Sequence, residues 1–193
     1  MVAAIGGHQS VFDLLLSNQA DLTLVNADGN SLLHHACRGG NTAIVQHVLS
    51  PSNINSRGIH GYTPVIMAAV NGHKSVFDLL LSNQADLTLV NADGNSLLHH
   101  ACRGGNTAIV QHVLSPSNIN SRGIHGFTPA MVAAFSGHQS VFELLMSNQA
   151  DLTLVDTSGH SLLHFACLGG NTAIILHVLS WIHTSYEGWI SWT

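Results

Sequence analysis

A short internal repeat constrains the fold of this chain more than any other feature of its sequence. A glycine precedes each of five similar apolar segments. These glycines are Gly29, Gly61, Gly94, Gly126 and Gly159. Their numbers increase in steps of 32, 33, 32 and 33, so a pair of units recurs with a period of 65. Repeats of this length are typical of solenoids, in which each unit packs only against its neighbours. We therefore predict one elongated domain with a continuous core.

The segment 61–81, GYTPVIMAAVNGHKSVFDLLL, contains the features of a helical hairpin. Thr63 is suited to cap a helix, and Pro64 to its first turn, where the missing N–H of proline costs no hydrogen bond. An Asn-Gly-His turn at 71–73 separates this apolar segment from a second one with helical spacing. Two short helices per unit predict an all-α fold with short hairpin loops.

The repeat predicts an array at 1–180 followed by a tail. The six units are 1–25, 26–57, 58–90, 91–122, 123–155 and 156–180. The first lacks the Gly-x-Thr-Pro opening, so we expect it to be truncated. Residues 8–60 and 73–125 differ only in Gln9 against Lys74, which indicates a recent duplication.

The tail, 181–193, breaks the repeat and contains all three tryptophans of the chain. We expect an irregular segment that folds over the exposed last layer. Two alternatives stay open. The tail is an aromatic segment that binds a partner, since exposed apolar patches often mark contacts, or it was joined on at a truncation boundary and has no role of its own.

The charge composition argues against a nucleic-acid-binding protein, and the hydropathy pattern against a membrane protein. Charged residues make up 8% of the chain, and the formal charge is −5 with only five basic residues. Phosphate binding needs clustered Lys and Arg. No apolar run approaches the roughly 18 residues of a membrane span.

The three cysteines, Cys37, Cys102 and Cys167, recur with the same period of 65. If helical layers lie about 8–10 Å apart, equivalent cysteines are roughly 20 Å from each other. A disulfide needs Cα atoms within about 7 Å. We therefore predict reduced, buried cysteines, which favours a cytoplasmic location.

These landmarks together resemble the ankyrin repeat family, whose pattern is D-x-x-G-x-T-P-L-H-x-A-A-x-x-G-H, a second helix and a G-A-D-V-N turn. GYTPVIMAAVNGH at 61–73 and ADLTLVNADGNSLLH at 85–99 follow it. The resemblance covers about residues 1–180. It implies L-shaped units of two antiparallel helices and a projecting hairpin, stacked in a curved array. Where the family has a glycine after the second helix, this chain has Gln19, Gln84 and Gln149. A non-glycine residue there would cost about 1 kcal/mol.

Residues with catalytic or metal-binding side chains also recur with the repeat. The repeated histidines are His8, His73 and His138, then His34, His99 and His164, then His47, His112 and His177. The resemblance implies that each set is structural, and no C-x-x-C or H-E-x-x-H motif is present. A catalytic cysteine seldom recurs in every layer, and the Gly-Gly pairs lack the lysine of a phosphate loop. We predict no metal, no cofactor and no enzymatic activity.

The resemblance implies that a partner lies on the concave face, formed by the hairpin tips and the exposed side of the first helices. Aromatic and arginine side chains dominate binding energy at interfaces. The matching positions are Asp28, Asn30, Arg38, His60, Tyr62, Val70, Asn71, Asp93, Asn95, Arg103, His125, Phe127, Phe135, Ser136, His160 and Leu168.

These observations predict a monomeric, non-catalytic interaction module or scaffold that binds a protein or peptide. Two alternatives remain. The chain is a fragment of a larger ankyrin-containing protein, such as a phosphatase regulatory subunit, a ligase adaptor or a channel. Otherwise it is an engineered or duplicated fragment with no specific partner.

Overall fold

The chain folds as an all-α solenoid, as predicted. The computed structural model describes the backbone of residues 1–190 and the side chains of residues 1–184. Within that part there are twelve α-helices and no β-strand longer than an isolated bridge. The first helices of the units are α1 (Val2–Ile5), α3 (Leu32–Gly39), α5 (Pro64–Val70), α7 (Leu97–Gly104), α9 (Pro129–Phe135) and α11 (Leu162–Gly169). The second helices are α2 (Gln9–Ser17), α4 (Thr42–Val48), α6 (Lys74–Ser82), α8 (Thr107–Val113), α10 (Gln139–Ser147) and α12 (Thr172–Ile190).

The helices begin where the sequence supplies caps. Thr63 caps α5, and its hydroxyl accepts a hydrogen bond from the Ile66 amide at 3.5 Å, with Pro64 in the first turn. In the even-numbered units a serine takes this place. The Ser31 amide donates to Nδ1 of His34 at 3.2 Å, which closes a reciprocal cap at the start of α3.

Neighbouring layers pack first helix on first helix and second helix on second helix. The side chains between layers form one continuous apolar core, in which Phe77, Leu80, Phe142 and Leu145 are fully buried. Because these helices have only seven to nine residues, isolated copies would be marginal in water. Contact with the next layer therefore stabilises each unit.

The glutamines after the second helices of the odd-numbered units adopt the left-handed conformation that the family pattern implies. Their φ angles are 59° at Gln19, 64° at Gln84 and 65° at Gln149. This region is sterically unfavourable for a residue with a Cβ atom. The chain therefore carries strain at three equivalent turns.

Replacing Gln84 with glycine should raise the free energy of unfolding by about 1 kcal/mol, because glycine adopts positive φ without a steric cost. Urea unfolding followed by circular dichroism measures the change. Gln84→Ala removes the same side chain but keeps the Cβ atom, so it should give no gain. Equal stabilisation by both variants would show that strain at this turn is not the cause.

The tail differs from the prediction, because α12 continues through Ile190 instead of ending where α4 and α8 end. Those two helices stop shortly before Pro51 and Pro116, whereas Trp181 stands at the equivalent place. Proline blocks helix continuation, and tryptophan does not. Trp181 and Ile182 pack against the core. The expectation of an irregular segment is therefore wrong for residues 181–190, and 191–193 lie outside the described residues.

The cysteines are unpaired, but only two of them are buried. Burial raises the pKa of the Cys37 and Cys102 thiols far above the usual range. Cys167 is exposed because α11 belongs to the last unit, whose outer side carries no following layer in the described part of the chain. The prediction of three buried cysteines is wrong at this position.

No helix in the described part of the chain is both long and apolar enough to cross a membrane.

Candidate partner-binding surface

Two buried histidines fix the hairpin tips to the helical layers. Nε2 of His34 lies 3.1 Å from the carbonyl oxygen of Tyr62, and Nε2 of His99 lies 3.0 Å from that of Phe127. Since Nε2 faces a carbonyl oxygen, it donates, and Nδ1 accepts from the capping serine. Burial lowers the pKa of both imidazoles, so both are neutral at pH 7. Each ring therefore positions the tip of the following unit.

Two further histidines, His35 and His100, are buried beside them. Nε2 of each has no hydrogen-bond partner among the described residues. Burial, followed by the charges of His99 and Arg103, lowers the pKa of His100 to about 4. The Tyr62 ring covers His100 at a centroid distance of 4.9 Å. The His100 imidazole is therefore uncharged at neutral pH.

Asn30 and Asn95 hold the hairpin of the following unit in place. Oδ1 of Asn30 accepts from the Ile59 amide at 3.2 Å, and Oδ1 of Asn95 accepts from the Ile124 amide at 3.1 Å. Asn30 is only 6% exposed. A buried side chain that holds the next hairpin in this way is not available to a partner, so we leave Asn30 out of the proposed contact set. Asn95 is half-buried and stays in that set.

Two adjoining clefts open on the first helices and hairpin tips of the last three units. The smaller, of about 390 Å³, lies between α7, α9 and α11 and has Arg103 at its edge. The larger, of about 920 Å³, lies between the last two hairpin tips and α11. Phe127, Phe165 and Leu168 line both. Ligand sites are commonly concave and mostly apolar with a few polar groups, and the smaller cleft fits that description.

The structure brings only part of the predicted set to these clefts. The members that line one or both clefts are Asn95, Arg103, His125, Phe127, Phe135, Ser136, His160 and Leu168. The members that line neither are Asp28, Asn30, Arg38, His60, Tyr62, Val70, Asn71 and Asp93. The predicted surface is therefore concentrated in the C-terminal half of the array.

Phe135 and Leu168 are the most exposed apolar side chains of the smaller cleft. They are 56% and 71% exposed. Val70 and Arg103 stand at the equivalent positions one pair of units earlier. The two halves of the array thus share a backbone pattern, but the later half has a more apolar surface.

Sequence reasoning missed several residues of the clefts. Phe165 and Met131 both line the smaller one. The Phe165 ring packs edge-on against Phe127 at 4.9 Å, so Phe127 is held in the structure and is not a free surface ring. The sequence does distinguish Phe165, because a phenylalanine stands there at the repeat position that His35 and His100 occupy in the earlier units.

The histidines do not form a metal site in the described residues, where no group of three or more His, Cys, Asp or Glu side chains converges. Oδ2 of Asp156 lies 3.0 Å from Nδ1 of His160, and Oε1 of Glu143 lies 3.3 Å from Nε2 of His177. These are isolated pairs on different units.

The chain matches family models for ankyrin repeats. A model for three copies matches residues 1–91 and 84–156, and a model for many copies matches 130–183. Human transient receptor potential cation channel subfamily A member 1 is 32% identical over 189 residues, 93% of this chain and 17% of that protein. Mouse protein fem-1 homolog A-like is 31% identical over 90 residues, 47% of this chain and 14% of that protein. The chain thus spans less than a fifth of either relative.

A solved structure has the same architecture. It is described as the Bd0816 predatory endopeptidase from Bdellovibrio bacteriovorus in complex with immunity protein Bd3460. One of its chains matches with a TM-score of 0.72 and 26% identity, over 92% of this chain and 95% of that one.

Proposed function

The chain belongs to the ankyrin repeat family, and we propose that it is a non-catalytic module that binds a protein or an extended peptide on its concave face. The observation that carries the proposal is the smaller cleft, where Phe135 and Leu168 are exposed beside Arg103. Exposed apolar side chains grouped in a cleft are typical of a contact surface.

The chemistry of the cleft favours an apolar anchor side chain from the partner. Phe135 and Leu168 offer apolar surface, and neutral His100 adds no charge. Arg103 at the edge can donate to a carboxylate or a main-chain carbonyl of the partner. Apolar anchors in desolvated pockets supply much of the binding energy at interfaces.

The state of the two buried cysteines supports a non-catalytic role. Burial holds Cys37 and Cys102 as protonated thiols, and a thiol must ionise to attack. Ankyrin repeats mediate protein interactions in this family. We place the chain in the cytoplasm because its cysteines are unpaired.

Arg103→Ala should weaken binding of a selected peptide about tenfold, because it removes the cationic donor at the edge of the cleft. Peptides selected from a displayed library against the full chain, then titrated by fluorescence anisotropy, supply the measurement. Arg38→Ala is the matched control, since Arg38 lies in the same local sequence one pair of units earlier and lines neither cleft. Equal weakening by both variants, or by neither, would reject this cleft as the site.

A second candidate is that the chain is one segment of a larger regulatory protein, such as a channel, a phosphatase regulatory subunit or a ligase adaptor. The match to the human channel covers 93% of this chain and 17% of the channel, which favours this alternative. The near-identity of segments 8–60 and 73–125 favours another possibility, that the chain is a duplicated fragment without a specific partner. The full-length transcript tests the second candidate, because it shows whether these repeats are encoded as part of a larger protein.

A further inference from the structure

Arg103 carries an unpaired positive charge at the edge of the smaller cleft. Of the five basic side chains of the chain, three are used within the fold. Lys74 pairs with Asp78, and Nη1 of Arg57 and of Arg122 each lies 2.8 Å from a carbonyl oxygen 33 residues later. Arg103 is exposed, and its guanidinium makes no hydrogen bond or ion pair to any described residue. This cation is therefore available to a partner.

The wall of the smaller cleft contains no carboxylate that would neutralise this charge. None of the acidic side chains in the described part of the chain lines it, although the chain has ten acidic residues and a formal charge of −5. Burial lowers the pKa of His99 and His100, so both imidazoles in the wall are neutral at pH 7. The cleft is therefore a positively charged, mostly apolar site on an acidic protein, and charge complementarity favours an anionic group in the partner.

Ser136, which follows the last residue of α9, adds a second free donor to the same cleft. Its hydroxyl makes no hydrogen bond to any described residue. Asn71 stands at the equivalent place one pair of units earlier, where its Nδ2 donates to the carbonyl oxygen of Met67 at 2.8 Å. A carboxylate accepts hydrogen bonds from a guanidinium and from a hydroxyl, so Arg103 and Ser136 together form a donor set suited to one.

These side chains are exposed by the concave face and not by an end of the array. Arg103, Phe135 and Ser136 belong to units four and five, each of which has a layer on both sides. Phe135 is 56% exposed although α7 and α11 both pack against α9. The apolar ring and the two donors are therefore surface features of a completed part of the solenoid.

We propose that the smaller cleft selects an acidic partner segment, in which a Glu or Asp carboxylate accepts from the Arg103 guanidinium and the Ser136 hydroxyl while an apolar side chain beside it contacts Phe135. This inference rests on the proposed function and names the chemistry that the partner carries. Alternate residues of an extended segment point to the same side and lie about 7 Å apart, close to the roughly 8–10 Å between neighbouring helices. The acidic and the apolar residue are therefore two positions apart.

The geometry favours a side-chain carboxylate over a chain end or a phosphate. The two clefts adjoin and share Phe127, Phe165 and Leu168 in their walls, so an extended partner has room to continue past the smaller cleft. A phosphate group carries close to two negative charges, and its recognition in peptides uses clusters of arginines. The single cation of this cleft matches the single charge of a carboxylate.

Selection of random peptides from a displayed library, against the full chain and against its Arg103→Glu variant, tests the proposal. The unmodified chain should enrich peptides with Glu or Asp two positions from an apolar residue by at least about fivefold over the starting library. Arg103→Glu reverses the charge at the cleft, so its peptides should carry Lys or Arg at that place. Arg38→Glu is the matched control, since Arg38 lies in the same local sequence and lines neither cleft. This control should select the same acidic pattern as the unmodified chain.

A thermodynamic cycle on one selected peptide assigns the contact. Exchanging the acidic residue of the peptide for its amide should weaken binding to the unmodified chain about fivefold in fluorescence anisotropy. The same exchange should change binding to Arg103→Ala very little, because that variant has already lost the cation. Ser136→Ala should weaken binding of the acidic peptide about threefold. Amidation of the C-terminus of the peptide should leave its affinity unchanged.

The outcomes separate this inference from the proposed function. Peptides that are weakened by Phe135→Ala but share no acidic residue would overturn the inference and leave the proposed function standing. Loss of binding on amidation would place a chain end at Arg103, and equal weakening of the amide peptide on both proteins would place the carboxylate elsewhere; either result would also overturn the inference alone. Peptides that bind equally well to the unmodified chain, Arg103→Ala and Phe135→Ala would reject the cleft, and with it both proposals.

Discussion

Lowering the pH from about 7.5 to about 5 should lower the melting temperature of this chain, because its buried histidines must take up protons when it unfolds. Burial lowers the pKa of His34, His35, His99 and His100 in the folded state. In the unfolded chain each returns to an ordinary value near 6.5. Below that pH the unfolded state binds more protons than the folded state, so the free energy of unfolding falls as the pH falls.

His100 sets the size of the effect, since its folded pKa is about 4. The interval between about 6.5 and about 4 corresponds to roughly 3 kcal/mol when titration is complete, of which about 2 kcal/mol is lost by pH 5. Calorimetry across this range gives the slope of stability against pH. The loss should be confined to the window between the folded and unfolded values.

The chain offers its own control for this prediction. Phe165 occupies the place of His100 in the last unit, so His100→Phe introduces a side chain that this position already accommodates elsewhere. That variant should lose a large part of the pH dependence, whereas His47→Gln, at an exposed position, should keep all of it. Identical slopes in all three proteins would show that buried histidines do not cause the acid sensitivity.

Phe142→Ala should lower the free energy of unfolding by about 3–5 kcal/mol, because it opens a cavity in a part of the core that neighbouring side chains fully enclose. Phe142 is fully buried in α10, with layers on both sides. Urea unfolding monitored by circular dichroism gives the change.

Phe12→Ala is the matched comparison, since Phe12 occupies the same position in the first unit, where the outer side of the layer is uncovered. The loss in free energy of unfolding should be smaller for Phe12→Ala than for Phe142→Ala, because the surrounding layer can relax into the space. A loss at Phe12 equal to that at Phe142 would contradict the view that stability comes from packing between layers.

The parts of the fold that depend on nearby residues could be predicted from the sequence. Thr63 and Pro64 start a helix through contacts within one turn. The left-handed turn at Gln84 followed from the resemblance, because the family pattern has a glycine there. The continuation of α12 was also a local effect, because Trp181 replaces a proline, but the break in the repeat pattern obscured it.

The parts that depend on neighbouring layers could not be predicted. Cys102 and Cys167 stand at the same repeat position, yet one is buried and the other exposed. A single unit does not show which layer will cover it. The smaller cleft likewise combines side chains from three units, Arg103, Phe135 and Leu168 among them. The repeat places these residues on one side of the helices but does not give the space between them.

The central claim is that packing between layers holds the array together while the concave face remains free to bind. The double variant Arg103→Ala/Phe135→Ala tests this most directly, with urea unfolding and peptide anisotropy measured on the same preparation. We predict a free energy of unfolding within about 0.5 kcal/mol of the unmodified chain and binding weakened by at least about tenfold. Stability that falls in parallel with affinity would contradict the claim, because it would place these side chains in the core.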